Sequence, residues 1–386
     1  MNGTPCTTWT SRKWKRTRCL RPEKPPRWRL WWPRRRPWKV VVVVVVAVVV
    51  VPRSPVLSTP LPPPPPNVAN HPSVVGLKRK WDELELHEDH DGFDANQLKE
   101  HEEFTKVKNV DKIELGRYEM NTWYFSPLPM EFHGLKKLYF CEYDLAFFKT
   151  RDQLLRHLRK VELKHPPGDE IYRNGNVSMF EVDGKKERLF CQNLCYLAKM
   201  FLDHKTLYYD VDLFLFYVLC ECDDYGAHVV GYFSKEKASE DGHNLACILT
   251  FPAYQRKGYG KFLISFSYEL SKIERRVGTP ERPLSDLGLV SYMSYWTRTV
   301  LNLIKDCDGD ISIQDISEIS RIRQEDIIRV LQEHQMIQYA KGQHVLFADH
   351  AKIEGALKKA GSTGLPVDPK KIIWTPFNPD KDATRP

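Results

Sequence analysis

The sequence predicts an α+β fold with a mostly antiparallel central sheet. The stretch "LFLFYVLCECDDYGAHVVGYFSK" holds two β-rich, largely apolar runs about a turn, and "NLACILTF" is a further apolar run. Short apolar runs bounded by turn residues are typical of buried strands. The stretch that follows, "KFLISFSYELSKIE", has apolar residues at positions 262, 263, 264, 266 and 270, which is helical spacing. A sheet followed by a packed helix is therefore the expected core.

The residues before this core carry both strand and helix patterns. "WYFSPLP" and "KKLYFCEYD" predict strands, whereas "RDQLLRHLRKVEL" and "QNLCYLAKMFL" predict helices. "VSMFEVDGKKERLF" predicts a hairpin around Asp183-Gly184, because Asp-Gly between apolar runs is a strong turn signal.

The residues after the core have the outline of a winged helix. "SYWTRTVLNLIKD", "SIQDISEIS" and "QEDIIRVLQEH" predict three helices, and "MIQYAKGQHVLFA" predicts a hairpin turning at Lys341-Gly342. Such a unit can bind DNA or serve only as a packing module. Acidic residues stand among the basic ones here, and this charge pattern favours packing.

The N-terminal segment differs in composition from the rest. Residues 1–39 hold 13 Lys or Arg and the single acid Glu23, so they carry +12 of a chain whose formal net charge is +8. The remaining residues are net negative, which gives no support for nucleic-acid binding by the folded part. The valine run from Val40 to Val51 is shorter than the ~20 residues that span a bilayer, so no membrane partner is expected. Nine cysteines without regular spacing favour a reducing compartment.

A basic, glycine-containing turn joins the last apolar run to the helix. The turn reads Gln255-Arg256-Lys257-Gly258-Tyr259-Gly260-Lys261, and we call residues 255–261 the glycine turn. Two glycines allow positive φ angles and close approach of a ligand, and the N–H groups at a helix N-terminus bind anions. The turn matches neither GxxxxGK[ST] nor GxGxxG, and it suits the pyrophosphate of coenzyme A. A purely structural glycine turn is the alternative.

Three residues near the glycine turn are candidates for the reacting site. Cys247 lies on the preceding run, where a thiol would be near the reactive end of the cofactor, although a buried structural cysteine is the alternative. Glu281 stands between Pro280 and Pro283, in a stiff segment suited to a general base. Ser285 is expected to cap the following helix.

These stretches together resemble the MYST-type histone acetyltransferases, most closely the plant members. The resemblance runs from about Lys78 to Trp374. It rests on long matching stretches: "HPPGDEIYR", "FLDHKTLYYDVDLFLFYVL", "GYFSKEK", "YQRKGYGKFLI", "SYELSK" and "GTPERPLSDLG".

The resemblance implies acetyl transfer from acetyl-CoA to histone lysines, most typically of histone H4, in a GNAT-like acetyltransferase fold. It further implies a nuclear protein of transcription and chromatin regulation, acting on nucleosomes within a complex. Direct DNA binding would be weak and mainly through the basic N-terminal tail. By motif, Glu281 matches the catalytic base, Cys247 the active-site cysteine and Lys205 the lysine that such enzymes acetylate on themselves. The matching cofactor contacts are Ile248, Thr250, Arg256, Lys257, Gly258, Tyr259, Gly260, Lys261 and Ser285.

The sequence divides into six parts on this basis. They are a disordered Arg/Trp/Val/Pro-rich tail (1–76), a linker and helical lead-in (77–117), a degenerate zinc-finger region with a ββα unit (118–175), the acetyl-CoA-binding core (176–295), a winged-helix-like part (296–375) and a tail (376–386). The basic cluster Lys78-Arg79-Lys80 is either a nuclear import signal or a solvated surface. The chromo-like domain of the relatives is absent from the N-terminal segment.

The finger region departs from the family pattern Cys-x2-Cys…His-x3-Cys. Here the four positions are Cys141, Asp144, His157 and Val161, so two thiolates are missing and one replacement cannot bind metal. Structural zinc usually takes four ligands, and we therefore expect zinc to be unlikely. The altered finger also leaves open an alternative function, in which the chain is a catalytically weak or silent relative acting as a binding subunit.

Overall fold

The structure, a computed structural model, describes residues 107–203, 205, 209–307, 310–340, 343–347 and 349–378, and the backbone of Val41–Val44. The chain forms two units, of which residues 1–39 lie outside the described part and residues 40–386 contain all of it. The strands are β1 Val41–Val44, β2 Val110–Leu115, β3 Tyr118–Asn121, β4 Leu135–Phe140, β5 Phe147–Phe148, β6 Asp169–Asn174, β7 Val177–Asp183, β8 Phe214–Asp223, β9 Gly226–Glu236, β10 His243–Leu245, β11 Ile248–Thr250, β12 Thr279–Pro280, β13 Ile337–Ala340 and β14 Gln343–Phe347. The helices are α1 Arg151–Leu158, α2 Arg188–Lys199, α3 Tyr259–Glu274, α4 Asp286–Asp306, α5 Ile313–Ser320, α6 Gln324–Glu333 and α7 His350–Lys359.

A five-stranded sheet in the order β11-β9-β8-β7-β6 forms the centre of the described structure, and every neighbouring pair is antiparallel. Consecutive residues of β8, from Phe214 to Cys220, are all buried, so this strand is covered on both faces. Helix α2 contacts β7, and α3 contacts β9, β10 and β11. The predicted antiparallel sheet and the predicted helix of the core are confirmed.

The apolar run "NLACILTF" forms two strands rather than the one predicted. β10 and β11 are separated at Ala246 and Cys247, which both face Ser234 of β9. The Ala246 N–H donates to the Ser234 carbonyl at 2.7 Å, and the Ser234 N–H donates to the Cys247 carbonyl at 2.8 Å. Two residues opposite one is the geometry of a β-bulge, which locally redirects the strand. β10 then pairs in parallel with β12.

A second sheet, in the order β3-β2-β4-β5, precedes the central one. Its strand β2 lies within residues 77–117, where a helical lead-in was predicted, and that prediction is wrong for residues 110–115. The reason is visible in "VDKIEL", in which buried Ile113 and Leu115 alternate with the more exposed Lys112 and Glu114 as in a strand. The predicted ββα order of the finger region is present as β4, β5 and α1.

Two further predictions of local structure are wrong. "WYFSPLP" is not a strand, because its prolines lack N–H groups and the N–H groups of Trp123 and Tyr124 both bond to the Met200 carbonyl. The predicted hairpin at Asp183-Gly184 is instead a strand-to-helix turn, and β7 forms its hairpin with β6. A Cβ on Gly184 would collide with the Val211 carbonyl, so close backbone approach explains this glycine.

The C-terminal part has its own core. Buried residues of α3 to α7, among them Trp296, Ile316 and Ile327, pack in one apolar cluster. The predicted helices and hairpin are confirmed as α4, α5, α6 and the pair β13–β14, with the turn at Lys341-Gly342 outside the described residues. Strand β1 pairs with β14, so the prediction of a disordered tail does not hold for Val41–Val44. The tail's other residues lie outside the described part.

Residues 361–377, which we call the C-terminal strap, run from the glycine turn to the central sheet. The Ile373 N–H donates to the Ile171 carbonyl at 2.9 Å, and Trp374 Nε1 donates to Glu181 Oε2 at 2.6 Å. Burial raises the pKa of Glu181, and the bond from Trp374 opposes that rise. The strap is thus fixed to β6 and β7. Within the described residues, no helix has both the length and the apolar character to cross a membrane.

Candidate functional site

The glycine turn connects the edge strand β11 to helix α3. Gly258 is the N-cap of α3 with φ 95°, and Arg256 also has positive φ, at 62°. Gly260 lies inside the first helical turn, so the prediction of positive φ at both glycines is confirmed only for Gly258. The first N–H groups of α3 have no partner within the helix and point toward the space before it. This arrangement favours an anion at the glycine turn.

The space beside the turn contains a polar atom that needs a partner. Thr250 Oγ1 is buried and has no hydrogen-bond partner among the residues that the structure describes. A Cβ built on Gly260 would have only this atom within 4 Å, at 3.6 Å. Buried hydroxyls are normally satisfied, and an unpaired one marks a place for water or a ligand. The residues at the turn therefore fit a polar group that approaches the backbone closely, as the phosphates of coenzyme A would.

The three basic residues of the glycine turn have different surroundings. Arg256 and Lys257 are exposed, and the Lys257 ammonium lies 5.1 Å from the ring centre of Tyr254. Lys261 Nζ donates to the Ser362 carbonyl at 2.6 Å, which ties the turn to the C-terminal strap. Burial lowers the pKa of Lys261, and the nearby Arg298 lowers it further. Two of the three cations are thus available to a ligand, and the third also holds the strap.

Cys247 lies at the bulge between β10 and β11, half-buried. Its N–H donates to Ser234 Oγ at 3.1 Å, and Lys205 Nζ donates to its Sγ at 3.8 Å. Lys205, which matches the lysine that such enzymes acetylate on themselves, is buried. Its ammonium therefore lies in the interior, in contact with the candidate cysteine. The Cys247 N–H is thus already engaged by the Ser234 hydroxyl. Ile248 is the next residue on the same edge strand, where alternate N–H groups point away from the sheet.

Glu281 directly follows β12, and its side chain is exposed. Its N–H donates to the Leu245 carbonyl at 2.8 Å, which continues the parallel pairing of β12 with β10. Leu245 is two residues before Cys247, so the fold brings the Glu281 backbone to the strand that leads to the cysteine. Pro280 is buried, and the Arg282-Pro283 peptide bond is cis.

Ser285 is the N-cap of α4, as predicted from the sequence. Its Oγ accepts a hydrogen bond from the Gly288 N–H at 3.1 Å. The hydroxyl keeps its own proton for a further acceptor.

The structure adds residues that the sequence did not indicate. The strap crosses the glycine turn, because a Cβ on Gly258 would lie 3.0 Å from the Leu365 nitrogen. Ser234 holds the Cys247 backbone, and Asp326 holds the segment around Glu281. Only the Gly and Pro content of "GSTGLPVDP" marks the strap as irregular in the sequence. No local pattern marks Ser234 or Asp326.

The finger region brings three possible metal ligands together. One ligand atom each of Cys141, Asp144 and His157 lies within 4.8 Å of the others. His157 Nε2 and Asp144 Oδ2 are 2.7 Å apart, and burial raises the pKa of the Cys141 thiol to about 12. Val161 packs against the apolar cluster around Cys141 and Leu154. A thiolate, a carboxylate and an imidazole are all zinc ligands, so the donor set fits zinc with one position left to water.

Family profiles match both parts of this arrangement. The profile described as "MYST family zinc finger domain" matches residues 107–160. With the three ligands gathered in the structure, this match does not support the prediction that zinc is unlikely. The substitutions at Asp144 and Val161 remove two thiolates but leave a set that can bind metal.

Close relatives match the larger part of the chain. It is 65% identical over 300 residues to "Histone acetyltransferase of the MYST family 2" of Arabidopsis thaliana, across 78% of this chain and 67% of the relative. It is 64% identical over 300 residues to "Putative MYST-like histone acetyltransferase 1" of Oryza sativa subsp. japonica, with the same coverage. It is 48% identical over 307 residues to "Histone acetyltransferase MOF" of Drosophila melanogaster, across 78% of this chain and 37% of that protein. The profile described as "MOZ/SAS family" matches residues 165–372, more than half of the chain, and the protein therefore belongs to the MOZ/SAS (MYST) family.

Proposed function

We propose that this protein transfers acetyl groups from acetyl-CoA to lysine side chains of nucleosomal histones, with histone H4 as the main target. The observation that carries the proposal is the convergence of three features on one stretch of backbone. The bulge at Cys247, the glycine turn after β11 and the Glu281 segment paired with β10 all meet there. Membership in a family whose named relatives are histone acetyltransferases supports the same conclusion.

The glycine turn and its neighbours would hold the cofactor. The first N–H groups of α3 and the charges of Arg256 and Lys257 would bind a diphosphate, and Thr250 Oγ1 would offer it a buried hydroxyl. Ser285 is proposed as a further contact through its hydroxyl proton. The full proposed set is Ile248, Thr250, Arg256, Lys257, Gly258, Tyr259, Gly260, Lys261 and Ser285.

The acceptor lysine arrives as an ammonium ion, which has no electron pair to donate. Glu281 is exposed on a stiff segment and would take one proton from it. The bound thioester supplies an activated acetyl group. The amine nitrogen then forms a bond to the acetyl carbon, and the carbon–sulfur bond breaks. The nitrogen gives up its second proton as the amide forms, and that proton converts the departing CoA thiolate to the free thiol. The Ile248 N–H is the proposed donor to the negative charge on the carbonyl oxygen.

Cys247 has two possible roles in this reaction. It either carries the acetyl group transiently or shapes the wall of the site. Its contact with Lys205 favours the second role, because a buried ammonium 3.8 Å from the sulfur holds the sulfur in one position. We also propose Lys205 as a self-acetylation site, since its Nζ lies beside the candidate cysteine.

The finer architecture and context are proposed on the same basis. The antiparallel sheet with β11 at its edge supports a GNAT-like arrangement, and α4 to α6 with the β13–β14 hairpin support a winged-helix-like unit. Acidic residues in α5 and α6 favour packing rather than DNA binding for that unit. We propose a nuclear location and work within a chromatin complex. The basic tail, proposed as a weak DNA contact, lies outside the described residues.

An acetylation assay tests the proposed function. The full chain is incubated with acetyl-CoA and reconstituted nucleosomes, and acetylated lysines are mapped by mass spectrometry. We expect acetyl-CoA-dependent modification concentrated on the histone H4 tail. A protein that acetyl-CoA stabilises in thermal melting but that modifies no histone would favour the silent-relative function, for which the altered finger is the specific support.

We propose that the finger binds zinc through Cys141, Asp144 and His157, and more weakly than a four-ligand finger. The double change Asp144→Cys with Val161→Cys would complete the family ligand set. We expect it to raise the zinc retained after dialysis against a chelator and to raise the melting temperature in zinc, because structural zinc is most stable with four protein ligands.

Metal analysis and melting curves measure both effects. His157→Ala is the control, and it should lower zinc content in either background. A double variant that holds no more zinc than the natural chain would show that the finger does not present these four positions to one ion.

A further inference from the structure

A buried carboxylate holds the segment that carries Glu281. Asp326, near the start of α6, has only 2% of its surface exposed. One of its oxygens accepts a bond from Thr279, two residues before Glu281, and the other from Arg282, one residue after it. We propose that Asp326 is a positioning residue for Glu281, so that the C-terminal helical part sets the geometry of the candidate base. This inference rests on the proposed function of Glu281.

The first bond is buried. Thr279 Oγ1 donates to Asp326 Oδ2 at 2.6 Å, and Thr279 itself is buried. Thr279 belongs to β12, whose backbone pairs with β10. The side-chain bond is therefore a second attachment of a strand that is already paired with the one leading to Cys247.

The second bond is an ion pair that crosses the segment. Arg282 Nη2 donates to Asp326 Oδ1 at 2.7 Å, while 47% of the Arg282 side chain is exposed. Because Asp326 bonds to residues on both sides of Glu281, both ends of this short segment are held in place. An exposed glutamate on a loop without such bonds would sample many orientations. Small misplacements of a reacting group lower the rate of the chemical step substantially.

Backbone bonds keep the same elements in register. The Gly278 N–H donates to the Arg321 carbonyl at 2.9 Å, next to the bridge between Gly278 and Ile322. The turn from α5 to α6 is thus paired with the residues just before β12. These backbone bonds would persist when the Asp326 side chain is changed. A variant of Asp326 is therefore expected to keep the fold of the segment and to lose only the positioning of Glu281.

The charge on Asp326 is supported by its surroundings. Burial raises the pKa of Asp326, whereas the bond from Thr279 and the charge of Arg282 oppose that rise. The residue also lies in the first turn of α6, where the helix dipole favours an anion. A buried carboxylate without these partners would be costly, and here Thr279 and Arg282 supply them.

The experiment compares Asp326→Asn, Arg282→Gln and Thr279→Val with Glu325→Gln, which removes an exposed acid next to Asp326 in the same helix. Each protein is assayed as the full chain on a histone peptide, with kcat calculated per acetyl-CoA-binding site. We expect Asp326→Asn and Arg282→Gln to lower kcat by roughly 10- to 100-fold, the range for a reacting group misplaced by about 1 Å. The KM for acetyl-CoA should stay within about twofold, because the glycine turn is untouched.

Two further measurements make the outcome decisive. The Asp326→Asn/Arg282→Gln double variant should be no worse than the worse single variant, because both changes remove one interaction. Glu281→Gln is measured in parallel: if it keeps natural turnover, the proposed base is wrong. If Glu281→Gln is inactive while folded Arg282→Gln is as active as Glu325→Gln, the positioning role is overturned. Arg282 is half exposed, so Arg282→Gln is expected to fold. It therefore tests the positioning role even if Asp326→Asn fails to fold.

Discussion

Replacing Glu281 by Gln is expected to lower turnover by roughly 10²- to 10⁴-fold, the usual contribution of a general base. The amide is nearly the same size as the carboxylate but cannot accept the proton of the acceptor lysine. Acetyl-CoA affinity should stay within about twofold of the natural chain, because the glycine turn lies between β11 and the start of α3 rather than on the Glu281 segment. Steady-state rates on a histone peptide, with calorimetry for acetyl-CoA, measure the two quantities.

The pH dependence separates loss of a base from loss of structure. Free lysine titrates near pH 10.4, so more of the acceptor is already deprotonated as pH rises. The deficit of Glu281→Gln relative to the natural chain should therefore shrink between pH 7 and pH 9. Glu240→Gln, at an exposed acid outside the site, is the matched control and should change nothing. An equal deficit at every pH would contradict proton removal by Glu281.

The sequence predicts the central sheet well because the signals for it are local. The apolar runs of β8 and β9 and the helical spacing of α3 need no distant partner to be recognised. Asp183-Gly184 shows the limit of such signals. The same dipeptide suits a hairpin and a strand-to-helix turn, and only the approach of the distant Val211 carbonyl decides between them.

The candidate site also contains features with local sequence signals and features that depend on distant parts of the chain. The glycine turn, Cys247 and Ser285 can be picked out locally in the sequence. The structure places the turn between β11 and α3, Cys247 at the bulge before β11 and Ser285 at the N-cap of α4. Their roles in binding and catalysis stay predictions. The neighbourhood of Glu281 and Cys247 depends on parallel pairing of β10 with β12, which no motif encodes. Asp326 and the C-terminal strap reach the site only through tertiary packing, so their residues look ordinary in the sequence.

The prediction that zinc is unlikely is not supported, and the reason is chemical. Two thiolates of the family pattern are missing, but three side chains that can bind metal remain together. Asp144 and His157 already lie in contact, with a 2.7 Å bond between them, and Cys141 is close by. The three side chains are gathered by β4, β5 and α1. Val161, which follows α1, packs with Leu154 and Leu158 in the apolar cluster around Cys141.

The two glycines of the turn serve different purposes in the structure. A side chain on Gly258 would need φ 95° and would press on the strap, with its Cβ 3.0 Å from the Leu365 nitrogen and 3.2 Å from the Gly364 Cα. If a Gly258 variant lost cofactor binding, a distorted fold and a blocked binding site would therefore be equally good explanations. Gly260 avoids this confusion, because its Cβ would meet only Thr250 Oγ1 at an ordinary 3.6 Å.

Replacing Gly260 by Val is accordingly expected to leave the fold intact and to weaken acetyl-CoA binding by at least tenfold, or about 1.4 kcal/mol. The branched side chain would occupy the space beside Thr250 Oγ1 that the diphosphate needs. Calorimetry measures the affinity, and melting without ligand measures the fold. Acetyl-CoA should also no longer raise the melting temperature.

The matched control is Gly355→Val, which makes the same change inside α7 at a position where a Cβ meets nothing within 4 Å. Both valines carry the same intrinsic cost in a helix, so the two variants should melt at similar temperatures without ligand. Only the Gly260 variant should lose affinity. Natural affinity for acetyl-CoA in a folded Gly260→Val protein would mean that no phosphate lies against this turn, and the cradle assigned to residues 255–261 would be wrong.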